Sequence, residues 1–434
     1  MDTCLIVGAS VASSLSAYVL APFFRKIVIL ESDSNLGQYR GSLQQGTQFH
    51  IFMAKGQATL KDLIPNIEED FARENCPVAT APKEVYWGIN DEVMSRSDEV
   101  LADLFLMDRM ALERILLERL KDHDNIEIRS GFRVQDLIYQ DGRVTGVKGR
   151  CDGKLEQLDG DLVMVGGGRN FPLAKILEDK GLKVPKENFV PAEFMYLSQI
   201  RQLNGDHKLP WKIRYEQAMP PENLQGAVIG KVAEPNHYMF MMGAMKGGFP
   251  KLGSEMEFIN NLKEPQFKWF YENSTAVTEA KAYRIDGSHH RPYGQMNQKW
   301  PKGLVALGDA VCAFNPVYGQ GLTVATLGAK QLKTFMNSEG CLNNTHKFQS
   351  AIDALIKTPW MMGTLEDRKL YGHKLSAPER IVSSYMNRLL AASIHDKVVS
   401  LAFQKVIHML KEPTSLFAPH IAIRVLLKNM FKAN

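Results

Sequence analysis

A glycine-rich stretch in the second half of the chain places one carboxylate beside open backbone. Residues 304–307 form an apolar run, Gly308 and Asp309 follow it, and a helix is predicted to begin near Gly319 in a Gly-Gln-Gly sequence. A carboxylate accepts hydrogen bonds from hydroxyl groups, and a helix start offers unpaired N–H groups and the positive end of a dipole. This corner suits a ligand that joins a polyol to a ring able to carry negative charge. On these residues alone, an ordinary turn with Asp309 as a helix cap is an equal alternative.

A reduced flavin has both properties, because its ribityl chain is a polyol and its ring becomes anionic. Asp309 would accept hydrogen bonds from the ribityl hydroxyls, while the N–H groups near Gly321 and Leu322 would face the flavin N1 atom and C2 carbonyl. Pro316 closes the loop that leads to this helix. Gly321 and Leu322 are therefore predicted to stabilise the flavin, and no residue is assigned as a catalytic acid or base.

The N-terminal segment has the pattern of a βαβ unit. Residues 3–7 and 26–30 are short β-branched runs that end at Gly8 and Glu31, and the residues between them have helical spacing. The turn at 8–13, GASVAS, matches the G-x-G-x-x-G fingerprint only at its first glycine, but serine is small enough to let a pyrophosphate approach. Glu31 stands 23 residues after Gly8, close to the place where dinucleotide folds have the acid that binds a ribose. A structural βαβ unit without a nucleotide is the alternative.

The sequence as a whole resembles the group A FAD-dependent monooxygenases, and among them the squalene-epoxidase-like and polyether-epoxidase-like branch. The resemblance is carried by residues 303–325, GLVALGDAVCAFNPVYGQGLTVA, which are similar to the second FAD motif of that family. Residues 359–367, PWMMGTLED, resemble its PWQLATGED segment, and residues 40–50 resemble its RRGVPQGRHLH run. His50, at the end of that run, is more typical of a packing histidine than of a catalyst.

The resemblance implies an FAD site with contributions from several segments. Arg40 would face the ribose or phosphate side, Arg109 would reach the pyrophosphate from a helix that Asp108 caps, and Val134 would touch adenine through its backbone. A surface salt bridge is the alternative for Arg109. Motif and resemblance together predict these cofactor-binding residues: Gly8, Ala9, Ser10, Val11, Ala12, Ser13, Glu31, Arg40, Gln45, Arg109, Val134, Gly308, Asp309, Pro316, Gly319, Gln320, Gly321 and Leu322.

One segment departs from the family. Where relatives usually carry D-A-T-G or D-A-S-G, this chain has Val165, Gly166, Gly167 and Gly168, so the acid and the hydroxyl residue are both missing. In relatives this motif is linked to the pyrophosphate and to the nicotinamide dinucleotide. The electron source is therefore left open between NADPH, NADH and a separate flavin reductase.

Residues 191–288 contain predicted strands rich in aromatic residues and methionine. Methionine is adaptable and aromatic rings are flat, so such strands suit a long apolar substrate, although plain sheet core is an equal interpretation. The candidate substrate residues are Tyr196, Tyr238, Phe240, Met242 and Tyr283. A polyene, a terpenoid or an aromatic compound would fit this composition.

These segments predict an α/β protein with a Rossmann-like FAD-binding fold, an inserted antiparallel β-sheet domain and a helical C-terminal region. The proposed boundaries are 1–180 with 285–350 for the discontinuous FAD domain, 181–284 for the sheet domain and 351–434 for the helical region. Asp141-Gly142 and Asp152-Gly153 are hairpin turns typical of a β-meander inserted into the FAD domain.

Composition excludes several classes of protein. With 434 residues, 45% hydrophobic and 23% charged, the chain reads as soluble and too long for a single core. A net charge of +4 with scattered basic residues gives no general field for nucleic acid. Five cysteines without C-x-x-C or metal spacing fit reduced thiols and predict no metal site. The N-terminus lacks a basic leader, which indicates a cytoplasmic protein.

The basic amphipathic tail, residues 415–434, allows two interpretations. It can lie on a membrane surface as a peripheral contact, or it can pack on its own domain, which is more common.

The resemblance implies an FAD-dependent monooxygenase that transfers one atom of dioxygen, through a flavin C4a-hydroperoxide, to an apolar alkene or aromatic ring by epoxidation or hydroxylation. Two alternatives on the same fold stay open: a prenyl-chain reductase related to geranylgeranyl reductases, and a non-catalytic prenyl-binding protein. A flavin halogenase is disfavoured because the chain has no W-x-W-x-I-P motif. No two of its tryptophans are separated by one residue: Trp87, Trp211, Trp269, Trp300 and Trp360.

Overall fold

The computed structural model describes residues 1–38, 46 and 48–430, so the predicted FAD residues Arg40 and Gln45 lie outside the described residues. The strands are β1 (Thr3–Val7), β2 (Lys26–Glu31), β3 (Phe49–His50), β4 (Val78–Ala81), β5 (Val85–Ile89), β6 (Glu92–Val93), β7 (Ala102–Phe105), β8 (Met107–Asp108), β9 (Ile126–Ser130), β10 (Phe132–Gln140), β11 (Arg143–Cys151), β12 (Lys154–Asp159), β13 (Leu162–Val165), β14 (Asn188–Leu203), β15 (Ile213–Gln217), β16 (Gln225–Lys231), β17 (His237–Met245), β18 (Ser274–Ala276), β19 (Lys281–His290), β20 (Leu304–Ala306) and β21 (Cys312–Ala313).

The helices are α1 (Val11–Leu20), α2 (Ala54–Leu63), α3 (Ile67–Arg73), α4 (Arg109–Leu120), α5 (Leu173–Asp179), α6 (Glu255–Ile259), α7 (Pro265–Glu272), α8 (Gly321–Met336), α9 (Thr345–Leu370), α10 (Ala377–Ser393), α11 (Lys397–Ile407) and α12 (Pro419–Met430).

A parallel sheet in the order β20-β13-β1-β2-β9 forms the centre of the first unit. Its three strands β20, β13 and β1 are buried nearly throughout, which is typical of parallel strands covered on both faces. Helices α1 and α8 pack against each other beside this sheet. The predicted βαβ unit and the Rossmann-like α/β class are confirmed.

A three-stranded antiparallel sheet, β10-β11-β12, follows the order of the chain. Both predicted hairpin turns are present, with positive φ angles of 48° at Asp141 and 50° at Asp152, each followed by glycine. The prediction that Asp108 caps the next helix is also confirmed, because its Oδ1 accepts from the Ala111 N–H of α4 at 2.6 Å.

The large sheet has the order β21-β19-β14-β17-β16-β15-β5-β6, with β18 beside β14. Strand β5 pairs in parallel with β15, with Trp87 opposite Tyr215. Residues 85–93 therefore belong to this sheet, although the predicted boundaries placed them in the FAD domain. The sequence carried no sign of the pairing, because it joins strands more than a hundred residues apart. The proposed boundary at 284/285 falls inside β19.

The last four helices, α9 to α12, begin at Thr345, before the proposed start of the helical region at 351, and α9 packs against both the parallel sheet and the large sheet. Helix α11 is tied to the first unit at the start of α2, which has no side-chain cap of its own. The N–H of Ala54 donates to His408 Nδ1 at 3.2 Å, and the N–H of Lys55 donates to the His408 carbonyl at 3.1 Å. Burial lowers the pKa of His408 to about 4, so its imidazole is neutral and can accept this bond.

Helix α12 is amphipathic in the structure. Ile421 and Val425 are buried in the C-terminal core, while Ile423, Leu426 and Leu427 are 56%, 50% and 50% exposed. Within the described chain, no helix combines the length and the apolar character that crossing a bilayer requires.

Candidate functional site

A cavity of about 1660 Å³ lies between the parallel sheet, the large sheet and the C-terminal helices. It brings together most of the predicted cofactor residues. Those that line it are Gly8, Ala9, Ser10, Val11, Ala12, Glu31, Arg109, Val134, Gly308, Asp309, Pro316, Gly319, Gln320, Gly321 and Leu322. Ser13 lies behind this wall and is fully buried.

One end of the cavity is formed by the turn between β1 and α1. Gly8 has φ +86°, its N–H donates to the Leu30 carbonyl at 2.8 Å, and a Cβ there would lie 2.8 Å from the Cα of Gly167. The N–H of Ala9 donates to Glu31 Oε2 at 2.7 Å. Glu31 Oε1 accepts from the Ser32 hydroxyl at 3.0 Å and from the Asp33 N–H at 2.9 Å, so the carboxylate is fixed at the end of β2 beside the start of α1, where Glu31 lines the cavity.

The serine at the third fingerprint position is matched by a glycine on the neighbouring strand end. A Cβ on Gly166 would collide with Ser13 Oγ, so Ser13 fits only because residue 166 lacks a side chain. Relatives in the resemblance carry alanine at that place. Gly166 and Ser13 therefore fit each other, and α1 keeps its close approach to the sheet.

The Gly308-Asp309 turn is held by hydrogen bonds from the side chain of Arg291. Gly308 has φ +68°, and a Cβ there would lie 2.7 Å from the Ala12 Cβ of α1. Arg291 donates from Nη1 to the Asp309 carbonyl at 3.3 Å and from Nη2 to the Arg169 carbonyl at 3.0 Å. The Asp309 side chain itself is exposed on the cavity wall. Sequence reasoning missed Arg291, because only folding brings the end of β19 beside this turn.

The loop before α8 is held by a buried carboxylate of α9. Tyr318 donates from its hydroxyl to Asp367 Oδ1 at 2.8 Å, and Asn315 donates from Nδ2 to Oδ2 at 3.4 Å. Burial raises the pKa of Asp367 to about 6, and the two donors oppose this rise. Both Tyr318 and Asp367 belong to the motifs that carried the resemblance, but neither was predicted to have a role in the site.

The start of α8 faces open space. A Cβ on Gly321 would meet no heavy atom within 4 Å, and the Gln320 side chain does not cap the helix. Gly319 has φ +63°, and a Cβ there would lie 2.8 Å from the Met53 methyl group. Met53 in turn donates from its N–H to Thr323 Oγ1 at 3.0 Å. The uncapped first turn of α8 therefore borders the cavity together with Asp309, an arrangement that fits the anionic edge and the ribityl chain of a flavin.

One face of the large sheet forms the apolar wall of the cavity. Strand register puts Tyr196 opposite Gly243, and Met241 opposite Val228, all on the same face. Tyr196, Met241, Gly243 and Val228 line the cavity, together with Trp87 and Tyr215 from neighbouring strands.

The predicted substrate residues divide between the two faces of this sheet. Tyr196 lines the cavity, and Tyr283 stacks on Tyr196 at 5.3 Å between ring centroids without lining the cavity. Met242 also borders the cavity, but it shares the alternation of Tyr238 and Phe240 and packs in the same core cluster. Tyr238 and Phe240 are a correction: both pack in the core beneath α7, where Phe240 stacks on Phe270. Successive residues of a strand face opposite sides of the sheet. The sequence alone did not show which set of alternate side chains on β17 faces the cavity.

The C-terminal helices cover the apolar part of the cavity. Their contribution is rich in methionine and leucine, and the sequence analysis assigned none of it to the site. The helical residues are Met361, Met362, Leu365, Met386, Leu390 and Phe403, and the segment between α11 and α12 adds Leu416 and Phe417.

His50 also lines the cavity but is set up for packing. Burial and then the charge of Arg109 lower the pKa of His50 to about 4, and its Nδ1 lies 2.8 Å from the Gln48 carbonyl. A neutral ring bonded to backbone agrees with the predicted packing role.

Comparison with known proteins places this architecture in context. No family model matches the chain. The chain is 24% identical over 422 residues to Protein Rv3254 of Mycobacterium tuberculosis, covering 92% of this chain and 88% of that protein. The flavin-dependent brominase Bmp2 superposes with a TM-score of 0.66 at 14% identity and full coverage of both chains. The p-nitrophenol 4-monooxygenase PnpA from Pseudomonas putida has a TM-score of 0.64 at 14% identity, covering 94% of this chain and 98% of its own.

The fold is therefore the one shared by FAD-dependent halogenases and monooxygenases. At 14% identity these solved structures show the fold and leave the reaction to the residues of the site.

Proposed function

We propose that the protein is an FAD-dependent monooxygenase that binds FAD non-covalently along the wall from Gly8 to Gly321. The observation that carries the proposal is the open start of α8 at Gly321 beside the exposed carboxylate of Asp309. Glu31 at the other end of the same cavity supports a ligand with a second polyol, the ribose of the adenosine half. Bound FAD would supply the reduction of dioxygen and the transfer of one oxygen atom.

The residues of the chain would bind and shield rather than exchange protons. Asp309 and Glu31 would accept hydroxyl hydrogen bonds, and the N–H groups of Gly321 and Leu322 would stabilise negative charge on the flavin ring. Arg109, on the same cavity wall, would neutralise the pyrophosphate. The apolar wall and the C-terminal helices would exclude water from the reacting centre.

An apolar alkene or aromatic compound is the proposed substrate class. The wall opposite the flavin side is made of Tyr196, Met241, Val228 and Trp87, which offers flat and adaptable apolar contacts. Epoxidation of an alkene is the narrower proposal, and it rests on the sequence resemblance of residues 359–367. Hydroxylation of an aromatic ring is the alternative reaction, and it would take place in the same cavity.

The electron donor is proposed to be NADPH, NADH or a separate flavin reductase. Gly166, Gly167 and Gly168 follow β13 where relatives carry the D-A-T-G type of motif, and Gly166 serves to admit Ser13. Packing against Ser13 therefore accounts for this segment without a role in binding a nicotinamide dinucleotide. This supports either weakly bound NADPH or NADH or a separate flavin reductase.

A test of the reaction uses heavy-isotope dioxygen with a panel of polyenes, terpenoids and phenols. The purified protein is first expected to be yellow. With NADPH and a flavin reductase present, a labelled epoxide or alcohol should form only when oxygen is supplied. A saturated product without oxygen would support the prenyl-chain reductase instead, and a colourless protein that does not take up FAD would support the non-catalytic prenyl carrier.

A cytoplasmic location with peripheral membrane contact through α12 is also proposed. The outward Ile423, Leu426 and Leu427 support it, because a lipid surface would cover them. Flotation with anionic vesicles should carry the wild-type protein upward and leave a Leu426→Ser/Leu427→Ser variant behind.

A further inference from the structure

Gln48 is a buried polar side chain whose hydrogen-bonding groups are not used by the protein. It is 2% exposed and lines the cavity. Within the described residues, neither its Nε2 nor its Oε1 has a hydrogen-bond partner. Leaving a buried amide without partners is unfavourable, so such a group normally marks a ligand or another partner outside the chain.

The residues that follow Gln48 place it beside His50. The ring of Phe49 packs on the large sheet, where a Cβ at Gly230 would lie 2.6 Å from its Cε2. His50 is the next residue of β3, so its side chain points away from that sheet. The Gln48 carbonyl lies 2.8 Å from His50 Nδ1, and both residues line the cavity near Arg109, whose charge lowers the pKa of His50.

The position of Gln48 along the cavity follows from the two ends of its segment. The Gly46 carbonyl accepts from the Met110 N–H at the start of α4 at 3.0 Å. The Met53 N–H donates to Thr323 Oγ1 in the first turn of α8 at 3.0 Å. Gln48 therefore lies between the helix of Arg109 and the helix start at Gly321, on the stretch between the proposed pyrophosphate and ring positions.

We propose that Gln48 binds the ribityl part of FAD, with its Nε2 donating to one ribityl oxygen and its Oε1 accepting from a ribityl hydroxyl. This inference rests on the proposed FAD binding. A polyol satisfies both amide atoms because each hydroxyl group can donate and accept. Asp309, which also lines the cavity, would accept from another hydroxyl of the same chain.

The test compares Gln48→Met with Gln57→Met, because both residues are buried glutamines. Gln57 is 4% exposed, lies outside the cavity lining, and has both amide atoms bonded: its Nε2 to the Asp103 carbonyl and its Oε1 to the Phe105 N–H at 2.9 Å. Methionine keeps the length and removes the amide in both cases. Melting temperature of the FAD-free protein, FAD affinity by flavin fluorescence, and ADP affinity by calorimetry are measured for each variant.

We expect opposite results for the two variants. Gln48→Met should keep or raise the melting temperature of the FAD-free protein, weaken FAD about tenfold or more, and leave ADP affinity unchanged. Gln57→Met should lower the melting temperature and leave FAD affinity within about twofold, because its lost bonds are internal.

Three outcomes overturn the inference. Unchanged FAD affinity in Gln48→Met removes Gln48 from the site, and equal weakening of FAD and ADP moves it to the nucleotide half. A fall in melting temperature like that of Gln57→Met, without loss of FAD affinity, makes the role of Gln48 structural.

A second variant, Gln48→Asn, covers the case in which Gln48→Met does not fold. It draws the same amide back by one methylene and should also weaken FAD binding. Wild-type protein that binds no FAD would refute the proposed function itself.

Discussion

The two walls of the cavity are built in different ways. The wall around Gly8, Gly308 and Gly321 is mainly backbone, set by strand ends, helix starts and glycines whose missing Cβ atoms leave space for close contacts. The opposite wall is made of side chains such as Tyr196 and Met241, which project from one face of a sheet. A backbone wall fixes positions for polar atoms, whereas a side-chain wall fixes a volume that can be filled in several ways.

The largest expected effect separates the two faces of the large sheet. Phe240→Ala should destabilise the protein by about 3–5 kcal/mol, because it empties a fully buried core position stacked on Phe270. Met241→Ala, one residue further on the cavity face, should cost less stability and change the KM for an apolar substrate. Chemical denaturation and steady-state kinetics of both variants check this. A shift in substrate preference from Phe240→Leu would contradict the assignment of the faces.

The next effect concerns the backbone wall. Gly321→Val should lower turnover by about 10²–10³-fold, because a branched side chain would fill the space before the first N–H groups of α8. The free energy of unfolding should change by about 1 kcal/mol or less, since valine at a helix start is tolerated. Flavin reoxidation rates and denaturation curves measure the two quantities. Wild-type turnover would show that this helix start does not face the flavin.

The stability of the protein is expected to depend on pH through Asp367, the buried carboxyl that holds the loop before α8. The folded pKa of Asp367 is about 6, above the ordinary value of 3.8, so the folded state holds this proton more tightly than the unfolded state. The contribution of Asp367 to stability is thus largest below about pH 4 and falls by about 3 kcal/mol as the pH rises through 6.

Asp367→Asn should remove that part of the pH dependence. Unfolding free energies of both proteins, measured from pH 4 to pH 7, give the difference directly. Parallel curves would mean that the carboxyl is not strained by burial. Tyr318→Phe tests the same carboxyl in the other direction: it removes a donor that lowers the pKa of Asp367, so the pH dependence should persist and become larger.

The smallest effect in the set concerns the two carboxylates of the backbone wall. Asp309→Ala and Glu31→Ala should each weaken FAD by about 1.5–3 kcal/mol, or roughly 10- to 150-fold, through the loss of hydrogen bonds to a charged acceptor. FAD titration of the stripped protein measures this. Asp62→Ala, at an exposed ion pair with Lys330, is the matched control and should bind FAD normally. Unchanged affinity in Asp309→Ala would remove Asp309 from the site.

The difference between the walls also explains what the sequence could predict. The βαβ unit, the hairpins at Asp141 and Asp152 and the strand-turn-helix at Gly308 depend on residues close in the chain, and each was recognised from local pattern. The choice between Phe240 and Met241 depends on which face of a strand meets which neighbour, and local pattern does not contain that choice.

The supports of the site were missed for the same reason. Arg291 and Asp367 act on a loop at 309–318, and Gln48 shows its unused amide only when its surroundings are known. Residues 85–93 belong to the large sheet because β5 pairs in parallel with β15, and no turn sequence predicts that pairing.

The contact between His408 and α2 has a consequence for the order in which parts of the protein fold during synthesis. His408 caps a helix start 354 residues earlier in the chain, and that helix start carries Met53, the neighbour of Gly319 and Thr323. At about 5–20 residues per second, a ribosome needs on the order of 20–70 seconds to synthesise the intervening chain. During that interval the start of α2 has only water as its cap, so the flavin-side wall reaches its final form late in synthesis, when α11 has emerged and docked.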